Sequence, residues 1–301
     1  MKHIVIIGAG WYGLHSFLSI KKRYKNCKVT ILEREDDIFK NSSNFNQNRL
    51  HIGYHYPRSH TTRELCKSGY NKFISNYRGV VDFIDRNFYC ISKDSCIDYD
   101  TYLKIYSNDE MYDHTILANH YLDNIDGNII NTKEKIINSE KARSLFKRKI
   151  NKKNIKLNYT VKDIQLSNQK IIINDDISCD LLIDCSYNNL QLQAGYIYEL
   201  TISLLYKKLR GSQGFDSLTI MDGDFFSLFP RDVEKNNYTL THVKYTPLIK
   251  SESIDDINTF EVTSDVVDQV KQKMEASVKE YYSSFINEFE YYSYFTSFKC
   301  K

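Results

Sequence analysis

The chain has 301 residues, enough for an α/β core with a second lobe and for burial of a cofactor without help from a partner. Its 41 Lys and Arg against 38 Asp and Glu leave a formal charge of +3. The basic residues are scattered except over 147–156, which reads as a solvated face, so nucleic acid is not expected as the main ligand.

No apolar run approaches the roughly 20 residues of a membrane-spanning helix. The chain enters a strand pattern directly after Met1 and Lys2 without a signal-peptide pattern, so a cytoplasmic protein is expected. The seven cysteines form an odd set with no Cys-x-x-Cys pair and read as reduced, mostly structural thiols.

Residues 3–7, His-Ile-Val-Ile-Ile, read as a buried central strand that ends at glycines in a tight turn. Residues 11–25 place Leu14, Phe17, Leu18 and Ile20 on one side and finish on Lys21, Lys22, Arg23 and Lys25, as suits the carboxyl end of a helix. A second strand at 29–32 completes a βαβ unit. Residues 41–60 are polar and aromatic without a period and read as a long functional loop. Helical spacing returns over 63–84, with Leu65, Tyr70, Phe73, Ile74 and Tyr77 as the apolar face.

Mixed strands and loops follow over 88–130, a short helix over 132–146, and strands at 155–163, 171–173 and 181–185. Residues 195–205, 217–221, 225–229 and 238–245 alternate as half-buried antiparallel strands do, and 266–289 is the longest helical stretch. No repeat or linker divides the chain. The expected fold class is therefore α/β, a Rossmann-type nucleotide-binding domain interleaved with a mixed-sheet lobe.

Gly8-Ala9-Gly10-Trp11-Tyr12-Gly13 fits G-x-G-x-x-G between the first strand and the first helix. Gly8 permits the turn, Gly10 lets backbone approach a pyrophosphate, and Gly13 lets the helix pack close to the strand. The helix amino terminus then offers free N–H groups and a positive dipole end to the phosphates. Trp11 and Tyr12 fill the variable positions of this cradle, their side chains directed away from the pyrophosphate and read as helix packing. Glu33 follows Gly13 by 20 residues, at the end of the second strand, where its carboxylate can accept from ribose hydroxyls; Arg34 lies beside it. This pattern does not separate FAD from NAD, since both present the same ADP half.

The loop that follows carries Asn48-Arg49-Leu50-His51-Ile52-Gly53-Tyr54-His55-Tyr56-Pro57, then Leu65-Cys66-Lys67-Ser68-Gly69. It resembles the FAD-dependent oxidoreductases of the D-amino acid oxidase superfamily, on their 2-hydroxyglutarate and glycerol-3-phosphate dehydrogenase side. Those enzymes carry an Ile-His-x-Gly-x-x-Tyr-like segment over the flavin and a Leu-Cys-x-x-Gly helix after it. The resemblance implies FAD as cofactor. It implies an FAD-binding domain at 1–85, 150–192 and 255–301, and a substrate or cap domain at 86–149 and 193–254.

Beside a flavin ring, Asn48, Arg49, Leu50, His51 and Gly53 are expected to contact the cofactor. Gly53 would permit close backbone approach, and Arg49 would stabilise a reduced flavin or a substrate carboxylate. His51, His55 and Tyr56 are the catalytic candidates of the loop. A buried histidine satisfied by one hydrogen bond is the alternative for each His, and packing for the Tyr.

At 181–189 the family carries a strand and a glycine-bearing turn near the cofactor. This chain has Leu-Leu-Ile-Asp-Cys-Ser-Tyr-Asn-Asn there, with Ser186 as the expected contact and asparagines able to tolerate unusual backbone angles. Residues 222–231 and 238–243 resemble the sheet that covers the flavin, with Arg231 and His242 as further catalytic candidates; a surface arginine is the alternative for Arg231. The family's glycine-rich closing turn is not recognised up to Lys301, which raises the expectation of an incomplete cofactor site.

The resemblance implies hydride transfer to flavin N5 from a C–H next to an amine or hydroxyl of a small polar substrate, an acidic one if Arg231 pairs with it. The alternatives are a catalytically silent nucleotide-binding relative with a structural or interaction role, and a flavin-dependent nucleotide-sugar isomerase. No metal-ligand spacing, Gly-x-Ser-x-Gly elbow or Walker pattern is present in the sequence.

Overall fold

In the computed structural model, which describes residues 1–107, 109–191, 193–209, 214–232 and 236–301, a βαβ unit opens the chain. It consists of β1 (His3–Ile7), α1 (Trp11–Arg23) and β2 (Lys28–Leu32). Lys21, Lys22 and Arg23 close α1, where the helix dipole favours cations. The long loop holds only a two-residue strand, β3 (Arg49–Leu50), before α2 (His60–Tyr77). Ser59 caps α2 by accepting from Thr62 N. The helix stops at Tyr77 rather than at 84, because 78–80 tighten into a 3₁₀ turn that leads into β4 (Val81–Asp82). Of its expected apolar face only Tyr77 is fully buried, and Leu65 is exposed.

Next come β5 (Asn87–Ser92), α3 (Tyr99–Tyr106), β6 (His114–Leu117), β7 (Ile125–Thr132), β8 (Lys135–Ile137) and α4 (Ser139–Lys149). The helix expected over 132–146 begins only at Ser139. Asn138 caps it through Lys141 N, and the residues before it pair as strands. The short strands β9 (Ile155–Lys156), β10 (Ile164–Ser167), β11 (Lys170–Ile173), β12 (Ile177–Cys179) and β13 (Leu181–Asp184) follow. The remainder is β14 (Tyr198–Lys208), β15 (Ser217–Met221), β16 (Phe226–Asp232), β17 (Asn237–His242), β18 (Pro247–Ser251), α5 (Ile254–Thr259), α6 (Ser264–Tyr281), the short α7 (Phe285–Glu288) and β19 (Phe289–Cys300).

A parallel sheet runs β13-β1-β2-β9, with Ile6 opposite both Ile183 and Ile31. Because side chains alternate along a strand, β1 serves two cores. Ile4 and Ile6 face α1 and α4 through Leu14, Phe17 and Phe146, while Val5 faces the β10-β11-β12 meander through Ile173, Ile177 and Cys179. Both faces of this sheet are therefore covered, as a parallel sheet requires.

The large sheet runs β18-β14-β17-β16-β15-β5-β7-β6, with β19 on the other edge of β14. It is mixed, since β15 pairs parallel with β5 while its other pairs are antiparallel. Val267, Met274 and Val278 of α6 pack on one face against Leu204, Leu228 and Leu240. Residues 255–301, expected with the nucleotide-binding domain, contribute α6 and β19 to this sheet instead. The reason is physical: β19 pairs along the whole of β14 from Tyr198 to Lys208, and the apolar face of α6 finds its complement there. The α/β class with an interleaved mixed sheet is the observed architecture.

Candidate active site

Gly8 adopts φ +97°, and a Cβ there would stand 2.7 Å from the Cys185 carbonyl oxygen. A Cβ on Gly13 would stand 1.9 Å from the Gly8 carbonyl oxygen, so only glycine lets α1 begin this close to β1. No side chain caps Gly10, and no acidic residue lies in the first turn of α1. Its amino terminus presents a positive dipole end, where the Trp11 N–H is taken by Ser43 Oγ and the preceding Ala9 N–H by the Glu33 carboxylate. The Glu33 carboxylate accepts from Ala9 N at 2.6 Å and from Glu35 N at 3.0 Å, fixing the glycine loop against the end of β2.

A groove of about 1000 Å³, counting the part open to solvent, begins at this loop. Gly8, Gly10, Glu33 and Arg34 line it together with Ser42, Ser43 and Ser186. Ser43 Oγ accepts from Trp11 N at 2.9 Å, and Ser186 is held by its N and Oγ donating to Asp184 Oδ1 at 2.8 and 2.5 Å. The glycine-free turn after β13 is made by Tyr187 and Asn188, at φ 60° and 52°. Phe298 and Lys299 of β19 complete the groove, and Ser42 Oγ donates to the Phe298 carbonyl at 2.8 Å.

Further along the same loop a second constellation docks on the large sheet. The Arg49 side chain is 1% exposed. It donates from Nη1 to the Tyr89 hydroxyl at 2.8 Å, and from Nη2 to Thr219 Oγ1 at 2.9 Å and Ser227 Oγ at 2.7 Å, with its guanidinium 3.9 Å from the Phe229 ring centre. Glu134, between β7 and β8, is buried beneath the loop and accepts from Ile52 N at 2.7 Å and Gly53 N at 3.3 Å. The Tyr89 hydroxyl donates to Glu134 Oε2 and lies 2.7 Å from His55 Nδ1. The His51 and His55 rings meet edge to face at 4.6 Å, and Tyr56 stands 6.0 and 6.2 Å from them.

Burial opposes ionisation of Glu134, but the neighbouring His51, Arg49 and His55 outweigh it and hold the carboxyl well below the usual range. Burial, with Arg49 and His51 beside it, pushes His55 well down, so its imidazole is neutral at neutral pH. Ligand atoms of His51, His55 and Glu134 lie within 4.8 Å of one another, a spacing that a metal ion can use. Against that, both Glu134 oxygens already accept hydrogen bonds, and Arg49 Nη1 lies 3.7 Å from Oε2, so positive charge is already supplied.

The structure thus gathers Gly8, Gly10, Glu33, Arg34 and Ser186 along one groove, and His51, His55 and Tyr56 in one aromatic cluster. Other expectations are corrected. Trp11 packs as expected, its ring against Phe39, Phe73, Tyr77 and Phe146, but Tyr12 is 77% exposed instead of packed, and neither side chain lines the groove. Arg49, expected beside flavin or a substrate carboxylate, has both terminal nitrogens engaged by Tyr89, Thr219 and Ser227 and cross-links the loop to the sheet. Gly53, at φ +129°, answers to the protein itself, because a Cβ there would meet the Tyr112 hydroxyl at 3.1 Å and Arg63 Cα at 3.3 Å.

Asn48 is buried at φ 55°, with its carbonyl accepting from Ile137 N at 2.7 Å, and Leu50 is buried beside Lys135. His242 turns towards α6, 3.2 Å from Ser277 Oγ and stacked on Tyr245, away from the loop histidines; burial brings its pKa down to about 4. Arg231 is half-buried rather than on the surface, against the rings of Phe45 and Phe295 and 3.5 Å from Asn44 Oδ1. Among the described residues its buried Nη1 has no hydrogen-bond partner. Sequence reading missed Ser42 and Ser43, hidden in an aperiodic polar loop, and Tyr89 and Glu134. Neither of the last two carries a motif; Glu134 reads as one acid among lysines.

No described protein family profile matches the chain. It is 28% identical over 291 residues to the FAD-dependent monooxygenase FPY4 of Fusarium mangiferae, covering 95% of this chain and 76% of that protein. A 71-residue stretch is 34% identical to L-2-hydroxyglutarate dehydrogenase of Indibacter alkaliphilus, covering 24% of this chain and 18% of that one. Among solved structures, glycine oxidase from Geobacillus kaustophilus superposes with a TM-score of 0.70 at 10% identity, covering 100% of this chain and 84% of that chain. The FAD-bound L-α-glycerophosphate oxidase of Mycoplasma pneumoniae superposes with 0.70 at 13% identity, with the same coverage. The chain shares the fold of these two oxidases, in keeping with the resemblance in its loop sequence.

Proposed function

We propose that the chain is an FAD-dependent oxidoreductase whose cofactor lies along the groove that starts at Gly8. The observation that carries this is the glycine loop before α1, whose Gly8 and Gly10 line one groove together with Glu33 and with Ser186 of the β13 turn. That arrangement fits a dinucleotide: backbone N–H groups for the diphosphate, a carboxylate with acceptor capacity left for ribose, and a groove of about 1000 Å³, counting the part open to solvent. Two relatives named as FAD-dependent monooxygenases, each matched over 95% of this chain, support the same cofactor.

The chemistry FAD supplies when bound is acceptance of a hydride at flavin N5. The chain's own residues supply proton handling. His55 is neutral, half-buried and hydrogen-bonded through one ring nitrogen, which suits a base that takes a proton from a substrate hydroxyl or amine as its C–H is oxidised. His51 and Tyr56 flank it and orient the substrate. Arg231, whose buried Nη1 has no hydrogen-bond partner among the described residues, is the candidate partner for a substrate carboxylate.

The purified chain should bind FAD, take on the yellow absorbance of oxidised flavin and bleach anaerobically with a substrate of this class. Protein that stays colourless after reconstitution, or that binds ADP as tightly as FAD, would sink the proposal. The monooxygenase names of the relatives favour a second outcome, in which the reduced enzyme's two electrons let one atom of dioxygen enter the organic product while the other leaves as water; labelled dioxygen distinguishes it from simple dehydrogenation.

A further inference from the structure

The hydroxyl of Tyr89 is surrounded by three polar groups. It lies 2.8 Å from Arg49 Nη1, 2.7 Å from His55 Nδ1, and in hydrogen-bond contact with Glu134 Oε2. A phenol has one proton to give and two lone pairs to receive with. A guanidinium can only donate, so one lone pair is committed to Arg49. A carboxylate can only accept, so the phenol proton is committed to Glu134. The remaining lone pair faces His55 Nδ1, and that nitrogen must carry the hydrogen.

Glu134 is kept in its accepting form by geometry, with the N–H groups of Ile52 and Gly53 on Oε1 and the Arg49 guanidinium 3.7 Å from Oε2. The charged and titratable groups around His55 are therefore Arg49 from β3, His51 and Tyr56 from the loop, Tyr89 from β5, and Glu134 between β7 and β8.

We propose that Tyr89 and Glu134 are positioning residues that lock His55 in its Nδ1–H tautomer and leave Nε2 as the free lone pair. An imidazole in water favours the opposite tautomer, so the relay imposes a choice that the ring would not make alone. The role of that lone pair as the base rests on the function proposed above; the tautomer does not. On accepting a proton at Nε2, His55 becomes an imidazolium whose Nδ1–H still points to Tyr89, and through it to the Glu134 carboxylate. The same logic orients the imidazole of hydrolytic triads.

The test is long-range ¹H–¹⁵N correlation spectroscopy of the full chain with labelled histidine, above the range where its imidazoles titrate. The proposal expects Nδ1 of His55 to be protonated and Nε2 to be bare. In Tyr89→Phe, which preserves ring packing, the population should swing towards Nε2–H, and Glu134→Gln should do so partly. An Nε2–H tautomer in the unaltered chain, or an unchanged tautomer in Tyr89→Phe with native-like amide spectra, overturns it.

Turnover tests the base separately. Tyr89→Phe in FAD-loaded protein should lower kcat by about 100-fold, the scale of base catalysis, with KM little changed. If the tautomer is as expected while His55→Gln turns over normally, the positioning stands and the base role in the proposed function falls.

Discussion

The Glu33 carboxylate accepts a hydrogen bond from the backbone N–H of Ala9 at 2.6 Å, across the mouth of the glycine loop. One oxygen thus ties the loop to the end of β2, while the other accepts from Glu35 N. A carboxylate has about four acceptor positions, so the pair of backbone contacts leaves capacity for ribose hydroxyls. Glu33 shapes the cradle, and the proposed function gives it a second task, contact with the nucleotide.

Glu33→Gln should therefore lose both stability and affinity. The amide can serve one of the two N–H groups but turns its own NH₂ towards the other, leaving a buried donor unsatisfied at a cost of about 1–3 kcal/mol. Urea denaturation and calorimetric titration with ADP measure the two effects. Native stability together with unchanged ADP affinity would falsify the dual role.

Trp11, the only tryptophan in the chain, sits among Phe39, Phe73, Tyr77 and Phe146 at centroid distances of 5.1 to 5.4 Å. Trp11→Ala should cost about 3–5 kcal/mol, because it opens a cavity where α1, α2 and α4 meet. Trp11→Phe should cost less and leave nucleotide affinity intact, since the ring does not line the groove. In the unaltered chain, intrinsic emission reports the docking of α1, and its red shift should coincide with global unfolding. A cost below about 1 kcal/mol for the alanine variant contradicts the packing account.

Asp37 pins α4 through Arg143 and Lys147. Burial works against its ionisation, but hydrogen bonds from Lys147, Arg143 and Ile38 N prevail and bring its pKa from 3.8 to about 2. A carboxyl depressed in the folded state stabilises above its unfolded pKa and loses that contribution as pH falls towards the folded one. Stability should accordingly decline between about pH 4 and pH 2 through this group. Asp37→Asn should be less stable at neutral pH and flatter over that interval in thermal melts at graded pH. An unchanged slope removes Asp37 from the account of acid sensitivity.

The nucleotide half of the protein was legible because its constraints are local. A β-branched run, three glycines at fixed spacing and an acid at the end of the next strand each act within about 30 residues, and each appears where the spacing places it. The short strands β9 to β13 were only partly legible. Their turns rely on asparagines and other residues at positive φ rather than on glycine, so the punctuation is faint.

The second constellation was half visible. His51, His55 and Tyr56 stand in one loop segment, and the sequence alone marked them. Their partners were not marked, because Tyr89 lies 34 residues from His55 and Glu134 another 45 beyond, on elements brought together only by the pairing of β5 with β7. The same holds for Arg49, which reads as a ligand-binding arginine until Thr219 and Ser227, 170 and 178 residues away, are seen to occupy it. His242 shows the converse. Strand alternation allows two faces, and the packing of α6 decided that this histidine belongs to the one turned away from the loop.

The sequence by itself determined the βαβ cradle and the cofactor class it suits, since backbone conformation and close approach depend on residues adjacent in the chain. Only the tertiary structure decided which polar side chains line the groove or join the loop cluster and which cross-link the protein. A buried charge takes whatever partners the fold supplies, and those partners are set by strand pairing across the whole chain.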